Sequence, residues 1–401
     1  MNAPVLYITY DGLLEPLGQS QVLAYLERLA ADREVHLLSF EKPADWRDRA
    51  AREALAARVR AAGIRWRPLR YHKRLSVLAT AWDAARGIAF GLWLIPRARI
   101  GIVHARSYVP AVMALTLKRL TGARFVFDMR GFWVDERVDG GLWPRDGLLY
   151  RIGKRFERRF LLAADHVVSL TQAAVRQMER FDYLRGRMPA VTVIPTCADL
   201  NRFRPSSPPE TDFVLGYVGS AGTWYRFDAV VASFAALRSR LPRARLLILN
   251  RNEHDYIRRC LSEGGIPDTA VELREASPAQ VPQQMARMHA GVFFIKPVFS
   301  KQASAPTKLG EFLGCGVPCL TNAGVGDLTD ILHGEKAGVA VTDLEPDALR
   351  EGIDALLELL RDPAIRTRCV EAARRHYSLD EGVARYRAVY RSVEGHQACD
   401  C

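Results

Sequence analysis

Short apolar runs alternate along the chain with longer stretches in which apolar residues recur every three or four positions. The runs are rich in β-branched and aromatic residues, which predicts strands, and the longer stretches have the period of amphipathic helices. The predicted strands are 5–10, 34–40, 64–69, 100–105, 124–129, 166–170, 191–195, 213–218, 244–249, 271–274, 291–295, 318–321 and 338–341. The clearest predicted helices are 19–30, 44–62, 109–120, 346–360, 364–376 and 380–393, with another long helix before strand 166–170. Strands apolar on both faces that alternate with helices predict parallel sheets in an α/β protein.

One segment interrupts this alternation. The stretch "CADLNRFRPSSPPETD" is rich in proline and serine and has no apolar period, which is typical of an interdomain linker. We therefore predict a Rossmann-like N-terminal domain at 1–197, a linker at 198–211 and a Rossmann-like C-terminal domain at 212–378. Residues 379–401 are predicted to form a helix that returns to the first domain, and a tail. Ligands of doubly wound sheets bind at the carboxyl ends of the strands, so we expect the site in a cleft between the two domains.

Charge is unevenly distributed. The net charge is +12, and residues 54–127 hold fourteen Lys and Arg but a single acid, Asp83. This excess indicates either a solvated basic face or an anionic partner, either membrane phospholipid or nucleic acid. Aromatic residues interleave with the basic ones, as at a membrane interface: Trp66, Tyr71, Trp82 and Trp93. No nucleic-acid-binding motif is present, so we predict an anionic membrane surface as partner and no nucleic acid.

The chain start and the most lipid-like stretch bear on location. The first residues, "MNAPVLYITYDG", lead directly into a strand pattern without a basic leader, which favours the cytoplasm. The most apolar stretch, 75–96, is interrupted by Asp83 and Arg86 and is better suited to lie in an interface than to span a membrane. We expect a protein peripheral on the inner face of the cytoplasmic membrane.

The candidate site residues of the first half follow or end predicted strands. Gly18 belongs to a glycine-containing turn into a helix, where backbone N–H groups can approach a phosphate or a sugar. After the fifth strand, Asp128 is suited to hold a hydroxyl or act as a base, and Arg130 to bind an anion or orient Asp128. A structural ion pair is the alternative. His104 and Arg106 end the neighbouring strand, where a histidine can equally be structural.

The second half repeats the arrangement. "LGYVGSAGTWYRF" is a strand followed by a loop with Ser220 and Gly222 that could surround a phosphate, with Arg226 just beyond it. Arg251 follows the next strand, either at the cleft or on the surface. By contrast with a dinucleotide-binding site, the turn of the first half, "YDGLLEPLGQSQV", lacks the G-x-G-x-x-G fingerprint.

The stretch "KQASAPTKLGEFLGCGVPCLTN" contains Lys301 and then a predicted helix start at Pro306 and Thr307. Lys308 and Glu311 lie three residues apart on one helical face. N–H groups and Lys308 suit a diphosphate, and Glu311 suits a pair of ribose hydroxyls. A helix cap and an ion pair within the helix are the alternative.

Three segments resemble the retaining family 4 glycosyltransferases of GT-B architecture, and the resemblance spans nearly the whole chain. They are "PLGQSQVLAYLERLA", "VIPTCADLNRFRP" and "KLGEFLGCGVPCLTN". The segments "HARSYVPA" and "DMRGFW" are similar to a branch associated with bacterial surface-polysaccharide assembly.

The resemblance implies roles for individual residues. Gly18 would face the donor diphosphate or sugar, and Glu311 would bind the donor ribose. Asp128 stands where many members have a histidine. Ala303 stands where the family has the first glutamate of an E-x7-E motif, which contacts the donor sugar.

The loop "GSAGTWYR" also lacks the Arg and Lys that many members place on the diphosphate. Lys308 is our first candidate for that cation and Arg251 the second, with Lys301 and Arg226 as further candidates. We expect no metal cofactor, since GT-B enzymes generally neutralise the leaving group without one.

The predicted function is transfer of a sugar from a nucleoside-diphosphate sugar to a glycan or polyprenyl-linked acceptor. The basic first domain would bind the acceptor and the second domain the donor. Two alternatives remain at this stage: a non-catalytic protein of the same fold that binds a sugar nucleotide or acts as a scaffold, and a sugar-nucleotide epimerase.

Overall fold

A computed structural model describes residues 2–72, 76–205 and 212–395, with Ser76 described in its backbone only. The chain divides into two units. One contains the described residues up to Ile194 and from Gly382 onward, and the other is Pro195–Glu381.

The first unit is built on a seven-stranded parallel sheet. Its strands are β1 Val5–Thr9, β2 Val35–Glu41, β3 Arg65–Arg70, β4 Ile102–Arg106, β5 Arg124–Asp128, β6 His166–Ser169 and β7 Val191–Val193. The order is β3-β2-β1-β4-β5-β6-β7. Every residue of β1 and β2 is buried, as expected of a sheet covered by helices on both faces, whereas the edge strand β3 is partly exposed.

Helical segments connect these strands. They are Pro16–Gly18, the π-helical Gln19–Leu23, Ala24–Leu29, Pro43–Trp46, Arg49–Ala61, Ser76–Ala98, Tyr108–Thr121, Trp133–Asp139, Leu148–Ala163, Gln172–Met178 and the 3-10 turn Asp182–Leu184. The C-terminal helix is Leu379–Gly395. The helix predicted at 44–62 is interrupted, because Asp48 caps a new helix by accepting a hydrogen bond from the Ala51 N–H.

The second unit is also a parallel doubly wound sheet. Its strands are β8 Val214–Val218, β9 Arg245–Leu249, β10 Val271–Arg274, β11 Ala290–Val292, β12 Cys319–Asn322 and β13 Gly338–Val341. They lie in the order β10-β9-β8-β11-β12-β13. The helical segments are Phe227–Arg240, His254–Glu263, Asp268–Ala270, Val281–Ala286, Phe299–Ala303, Thr307–Gly314, Leu328–Gly334, Pro346–Leu359 and Ile365–Tyr377.

Both sheets have a point where the strand order reverses, between β1 and β4 in the first and between β8 and β11 in the second. Such points leave a crevice at the carboxyl ends of the strands, where α/β proteins bind ligands. The prediction of two Rossmann-like α/β units is confirmed.

The predicted linker falls partly outside the described residues, at 206–211. Before that gap, Ala198 and Phe203 are buried in the core of the second unit. Ala198 also pairs with Ser378 through an isolated β-bridge. The first residues of the predicted linker are therefore packed, because they carry two apolar side chains that the second core accommodates.

In the described part of the chain, exposed large apolar side chains belong to the first unit. The thirteen described ones are Leu17, Trp46, Val77, Leu78, Trp82, Leu92, Trp93, Leu120, Leu142, Leu148, Leu149, Ile152 and Leu162. Within the described ranges, no helix is both long enough and apolar enough to cross a bilayer.

Candidate functional site

The loop that follows β1 is held by a carboxylate from β2. The N–H groups of Leu13 and Leu14 donate to Glu41 at 2.9 and 3.2 Å, and the Ser39 hydroxyl also donates to it. Glu41 is buried, and burial raises the pKa of its carboxyl despite these three donors. A Cβ on Gly18 would lie 2.1 Å from the Gly12 carbonyl oxygen. Close packing within the loop therefore requires glycine at position 18, independently of any donor.

Asp128 and Arg130 end β5 in the first unit. Asp128 is 1% exposed, and its Oδ2 accepts a hydrogen bond of 2.9 Å from the Tyr386 hydroxyl of the C-terminal helix. Its Oδ1 has no hydrogen-bond partner in the described structure and lies 3.9 Å from Arg130 Nη1. Burial opposes ionisation of Asp128, but the charge of Arg130 and contact with His104 hold the pKa of that carboxyl below its usual range. Arg130 has a positive φ of 58°, a strained conformation for a residue with a side chain.

His104 and Arg106 end the adjacent β4. His104 is fully buried, with Nδ1 2.7 Å from the Tyr390 hydroxyl and Nε2 3.7 Å from Asp128 Oδ2. Burial lowers the pKa of His104, although the neighbouring Asp128 opposes this effect. Arg106 forms an ion pair with Asp11. His104, Asp128 and Arg130 thus form one buried cluster, whereas the predicted acceptor contact of His104 would require that it become accessible.

In the second unit, the loop after β8 is held in the same way as the loop after β1. Glu253 accepts hydrogen bonds from the N–H groups of Ala221 and Gly222 and from the Asn250 side-chain amide, each at 2.9 Å. Burial opposes ionisation of Glu253, but these donors and the charge of Lys308 keep its pKa below the usual value. The Gly222 N–H is therefore already bonded within the chain, and Ser220 beside it is exposed.

Lys308 lies against this loop and is 8% exposed. Its ammonium nitrogen has no hydrogen-bond partner among the described residues. Instead it lies 3.9 Å from the ring centre of Tyr225, 5.1 Å from that of Tyr217 and 5.5 Å from that of Phe293. Such cation–π contacts are favourable but do not replace the hydrogen bonds of an ammonium group.

Gly219 marks the approach to this ammonium. It has a φ of +101°, and a Cβ there would lie 3.2 Å from Lys308 Nζ. The absence of a side chain leaves the nitrogen facing the end of β8. A buried, unpaired cation at the switch point of a parallel sheet is a natural binding site for an anion.

Glu311 lies one helical turn beyond Lys308 and is half-buried. No described group donates a hydrogen bond to its carboxylate, and the ion pair with Lys308 that the sequence allowed is not formed. Burial raises the pKa of Glu311 to about 7, an effect that the charges of Lys308 and Arg202 reduce. Thr307, also half-buried, is the first residue of the helix that carries both side chains.

The other predicted cations differ in their surroundings. Lys301 is buried with its ammonium 3.7 Å from the ring centre of Trp224. Arg226 is bound by Asp228 on the surface, with a shortest contact of 2.6 Å. Arg251 is exposed and follows Asn250 at the end of β9. Of the four predicted cations, Lys308 is the one that is both buried and without a hydrogen bond.

Two further findings concern the sugar and metals. Ala303, at the position of the family's first glutamate, is 1% exposed and ends a 3-10 helix, so it offers no polar group. No group of three His, Cys, Asp or Glu in the described part of the chain is placed to hold a metal ion.

Sequence reasoning missed two functional features. Glu41 and Glu253 were not singled out, although each follows an apolar strand in "HLLSFE" and "LILNRNE", where an acid at a strand end is a recognisable signal. The aromatic surroundings of Lys308 carry no such signal, because Tyr217, Tyr225 and Phe293 come from separate segments.

The two doubly wound parallel sheets define the GT-B type of architecture. Residues 18–197 match the model of the glycosyl transferase 4-like domain, and residues 200–376 match that of glycosyl transferases group 1. The chain belongs to this GT4-type, GT-B-fold family of glycosyltransferases, as the resemblance of its motifs implied. No curated protein matches the chain significantly in sequence.

Solved structures share the fold at low sequence identity. Sucrose-phosphate synthase from Thermosynechococcus elongatus has a TM-score of 0.76 at 15% identity, covering 98% of this chain and 100% of that one. A glycosyltransferase from Rickettsia africae has a TM-score of 0.70 at 12% identity, covering 98% of each chain. HepE from Anabaena in complex with UDP-glucose has a TM-score of 0.69 at 15% identity, covering 97% of this chain and 99% of that one.

Proposed function

We propose that this glycosyltransferase moves a sugar, with retention of anomeric configuration, from a nucleoside-diphosphate sugar to a glycan or polyprenyl-linked acceptor in bacterial surface-polysaccharide synthesis. The observation that carries the donor half is the unpaired ammonium of Lys308 beside Gly219. A buried ammonium without a hydrogen-bonded counter-ion is costly, and an arriving diphosphate would remove that cost. The complex of HepE with UDP-glucose supports a donor of this class.

The helix Thr307–Gly314 would hold two parts of the donor. Its first turn carries Lys308 and the N–H of Thr307, which suit the diphosphate. The Glu311 carboxylate, one turn further, has the free lone pairs to accept hydrogen bonds from two vicinal ribose hydroxyls. During transfer the leaving nucleoside diphosphate gains negative charge, and Lys308 would stabilise that charge in the transition state. No metal cofactor is part of this proposal.

In the first unit, Arg130 is the group best placed to contact a substrate. Its guanidinium is less deeply buried than Asp128, whose Oδ1 lies 3.9 Å away. We propose that Asp128 positions Arg130. Gly18 and Arg106 would lie near them, at the carboxyl ends of the strands. His104 would support Asp128 from the buried side.

The proposed acceptor and location rest on the surface of the first unit. The basic segment 54–127 and the exposed apolar side chains of the first unit support binding to an anionic membrane surface, where a polyprenyl-linked acceptor would be found. We therefore propose that the protein acts at the inner face of the cytoplasmic membrane and does not bind nucleic acid.

The test is donor binding followed by transfer. Isothermal titration of a panel of nucleoside diphosphates should reveal one preferred base, and the corresponding sugar nucleotides should be slowly hydrolysed without an acceptor. With a lipid-linked sugar as acceptor, mass spectrometry should detect an added sugar, and NMR should show that the anomeric configuration of the donor is kept. If no nucleoside diphosphate binds, the donor assignment is wrong.

Two observations favour a second candidate, a sugar-nucleotide-binding protein without transferase activity. Ala303 provides no polar group toward the donor sugar, and Glu253 already uses two N–H groups of the loop after β8. Under this alternative a nucleoside diphosphate binds, but neither hydrolysis nor transfer is detected with any sugar nucleotide of the panel.

A further inference from the structure

Three helices of the first unit lie side by side on one face of its sheet. They are Ser76–Ala98, Tyr108–Thr121 and Leu148–Ala163, and the middle helix packs against both of the others. Each helix lies between two strands that follow one another in the chain, and all three connections run across the sheet in the direction from β3 to β6. Right-handed crossovers that run in one direction place their helices on the same face of the sheet. We call this surface the three-helix layer.

The outer face of the first helix is an uninterrupted apolar stripe. Leu78, Trp82 and Trp93 are 68%, 60% and 52% exposed, and Ala85 and Ala89 are exposed between them. The spacings of four, three, four and four residues align these side chains along one line of the helix. Fifteen residues at the helical rise make the stripe about 22 Å long. An exposed apolar patch of this length indicates a binding surface.

The third helix of the layer repeats this composition. Leu148 and Ile152 are 65% and 43% exposed near its start. The exposed Arg151 and Arg155 interleave with them. Ten of the thirteen exposed large apolar side chains of the described structure belong to the three-helix layer.

The exposed charges of the layer have a single sign. Its helices contain only two acids, Asp83 and Glu157, and both are fully buried. Asp83 accepts hydrogen bonds from Tyr10 and the His72 N–H, and Glu157 is bound by Tyr108 and Lys154. The layer therefore presents apolar side chains and basic groups to solvent, without an exposed acid on its helices.

We propose that the three-helix layer is the surface on which the protein lies on an anionic lipid bilayer, with its two apolar edges inserted at the level of the headgroups. Exposed Trp and Leu suit the apolar part of that interface, and the arginines suit lipid phosphate. A second copy of the chain is the less suitable occupant, because a two-fold interface would place Arg-bearing helices against each other without acids to pair them. The inference rests on the proposed function in that the acceptor is carried on lipid.

Vesicle binding tests the layer directly. The full chain is sedimented with vesicles of phosphatidylcholine alone and with vesicles of an equal mixture of phosphatidylcholine and phosphatidylglycerol. We expect binding to the mixture only, weakened by added salt. Because each basic residue near the surface contributes about 1 kcal/mol, Arg151→Glu/Arg155→Glu should reduce the affinity about twentyfold or more. Trp82→Ser/Trp93→Ser should reduce it at least about tenfold and abolish the blue shift of tryptophan fluorescence on binding.

The matched control is Arg258→Glu/Arg259→Glu, which reverses two exposed arginines of the second unit and should leave vesicle affinity unchanged within about twofold. Equal vesicle affinity of all four proteins would overturn the inference. So would a dimer, detected by analytical ultracentrifugation, that the Trp82→Ser/Trp93→Ser variant loses while vesicle binding is absent. Donor hydrolysis without vesicles reports the proposed function alone, so failure of one is distinguishable from failure of the other.

Discussion

The loops after β1 and β8 are held by the same kind of hydrogen bonds but have different surroundings. In each unit, a glutamate accepts two backbone N–H groups of the loop that follows the first strand; Glu41 ends the second strand of its unit, and Glu253 lies just beyond it. Glu41 is buried, and its pKa is raised, whereas Glu253 is half-buried, and its pKa is lowered. The second loop faces the unpaired Lys308, which contributes to that lowering.

The comparison shows that a glycine-containing loop at a switch point is not by itself a phosphate site. In both units the chain supplies its own carboxylate to the loop, so the N–H groups that a phosphate would use are already bonded. What distinguishes the second unit is a buried cation without a hydrogen-bonded partner. The first unit differs in its surface instead, because the thirteen exposed large apolar side chains found among the described residues all belong to it.

The largest expected effect is on donor binding through Lys308. Lys308→Ala should weaken binding of the preferred nucleoside diphosphate about a hundredfold or more, because it removes a buried charge that pairs with the ligand. The unliganded variant should be at least as stable to heat as the unmodified protein, since the lost ammonium had no hydrogen bond. Titration calorimetry and thermal denaturation measure the two quantities.

The control for that substitution is Lys296→Ala, which removes an exposed lysine of the same unit. Its affinity for the nucleoside diphosphate should stay within about twofold of the unmodified protein. Equal affinities for all three proteins would show that Lys308 does not contact the diphosphate.

The two glutamates should differ in their contribution to stability. Glu41→Ala removes a buried acceptor from its N–H donors and should lower the free energy of unfolding by about 3 kcal/mol. Glu253 is half-buried, so water can partly replace its carboxylate, and Glu253→Ala should cost about 1 kcal/mol. Urea denaturation measures both, with the exposed Glu53→Ala as control. Equal losses would mean that burial does not distinguish the two loops.

Glu311 should make stability depend on pH in the second unit. Its pKa is about 7 in the folded chain against an ordinary value of 4.5, so the folded state binds more protons between these two values. The Glu311 contribution to the free energy of unfolding therefore falls as pH rises from 4.5 to about 7. Glu311→Gln should remove this fall. The melting temperature of the variant, relative to that of the unmodified protein, should therefore rise as pH increases over the same range. A constant difference would show that Glu311 is not buried in solution.

The smallest effect is expected at Arg226. Its guanidinium is paired with Asp228 on the surface, so Arg226→Ala should change affinity for the nucleoside diphosphate by no more than about threefold. If calorimetry shows a loss of affinity comparable with that of Lys308→Ala, the diphosphate binds nearer the start of the helix Phe227–Arg240 than we propose.

Much of the fold could be predicted because its signals are local. The strand at 5–10 was recognisable from consecutive β-branched and aromatic residues, and Lys308 and Glu311 share a helical face by their spacing alone. The contacts of Glu41 and Glu253 could not be predicted, since each joins groups about thirty residues apart through the order of the strands. A structural role for His104 was one of the two predicted alternatives, but its partner Tyr390 could not be predicted, because it lies 286 positions away.

The sequence by itself determined the alternation of strands and helices, the family and the concentration of basic residues in 54–127, because periodicity, motifs and charge are properties of neighbouring residues. Only the tertiary structure decided which loops hold their own carboxylate, which of the candidate cations lacks a partner and which apolar residues remain exposed. Hydrogen bonds and burial depend on distances in space, and these are set when separate strands meet in one sheet.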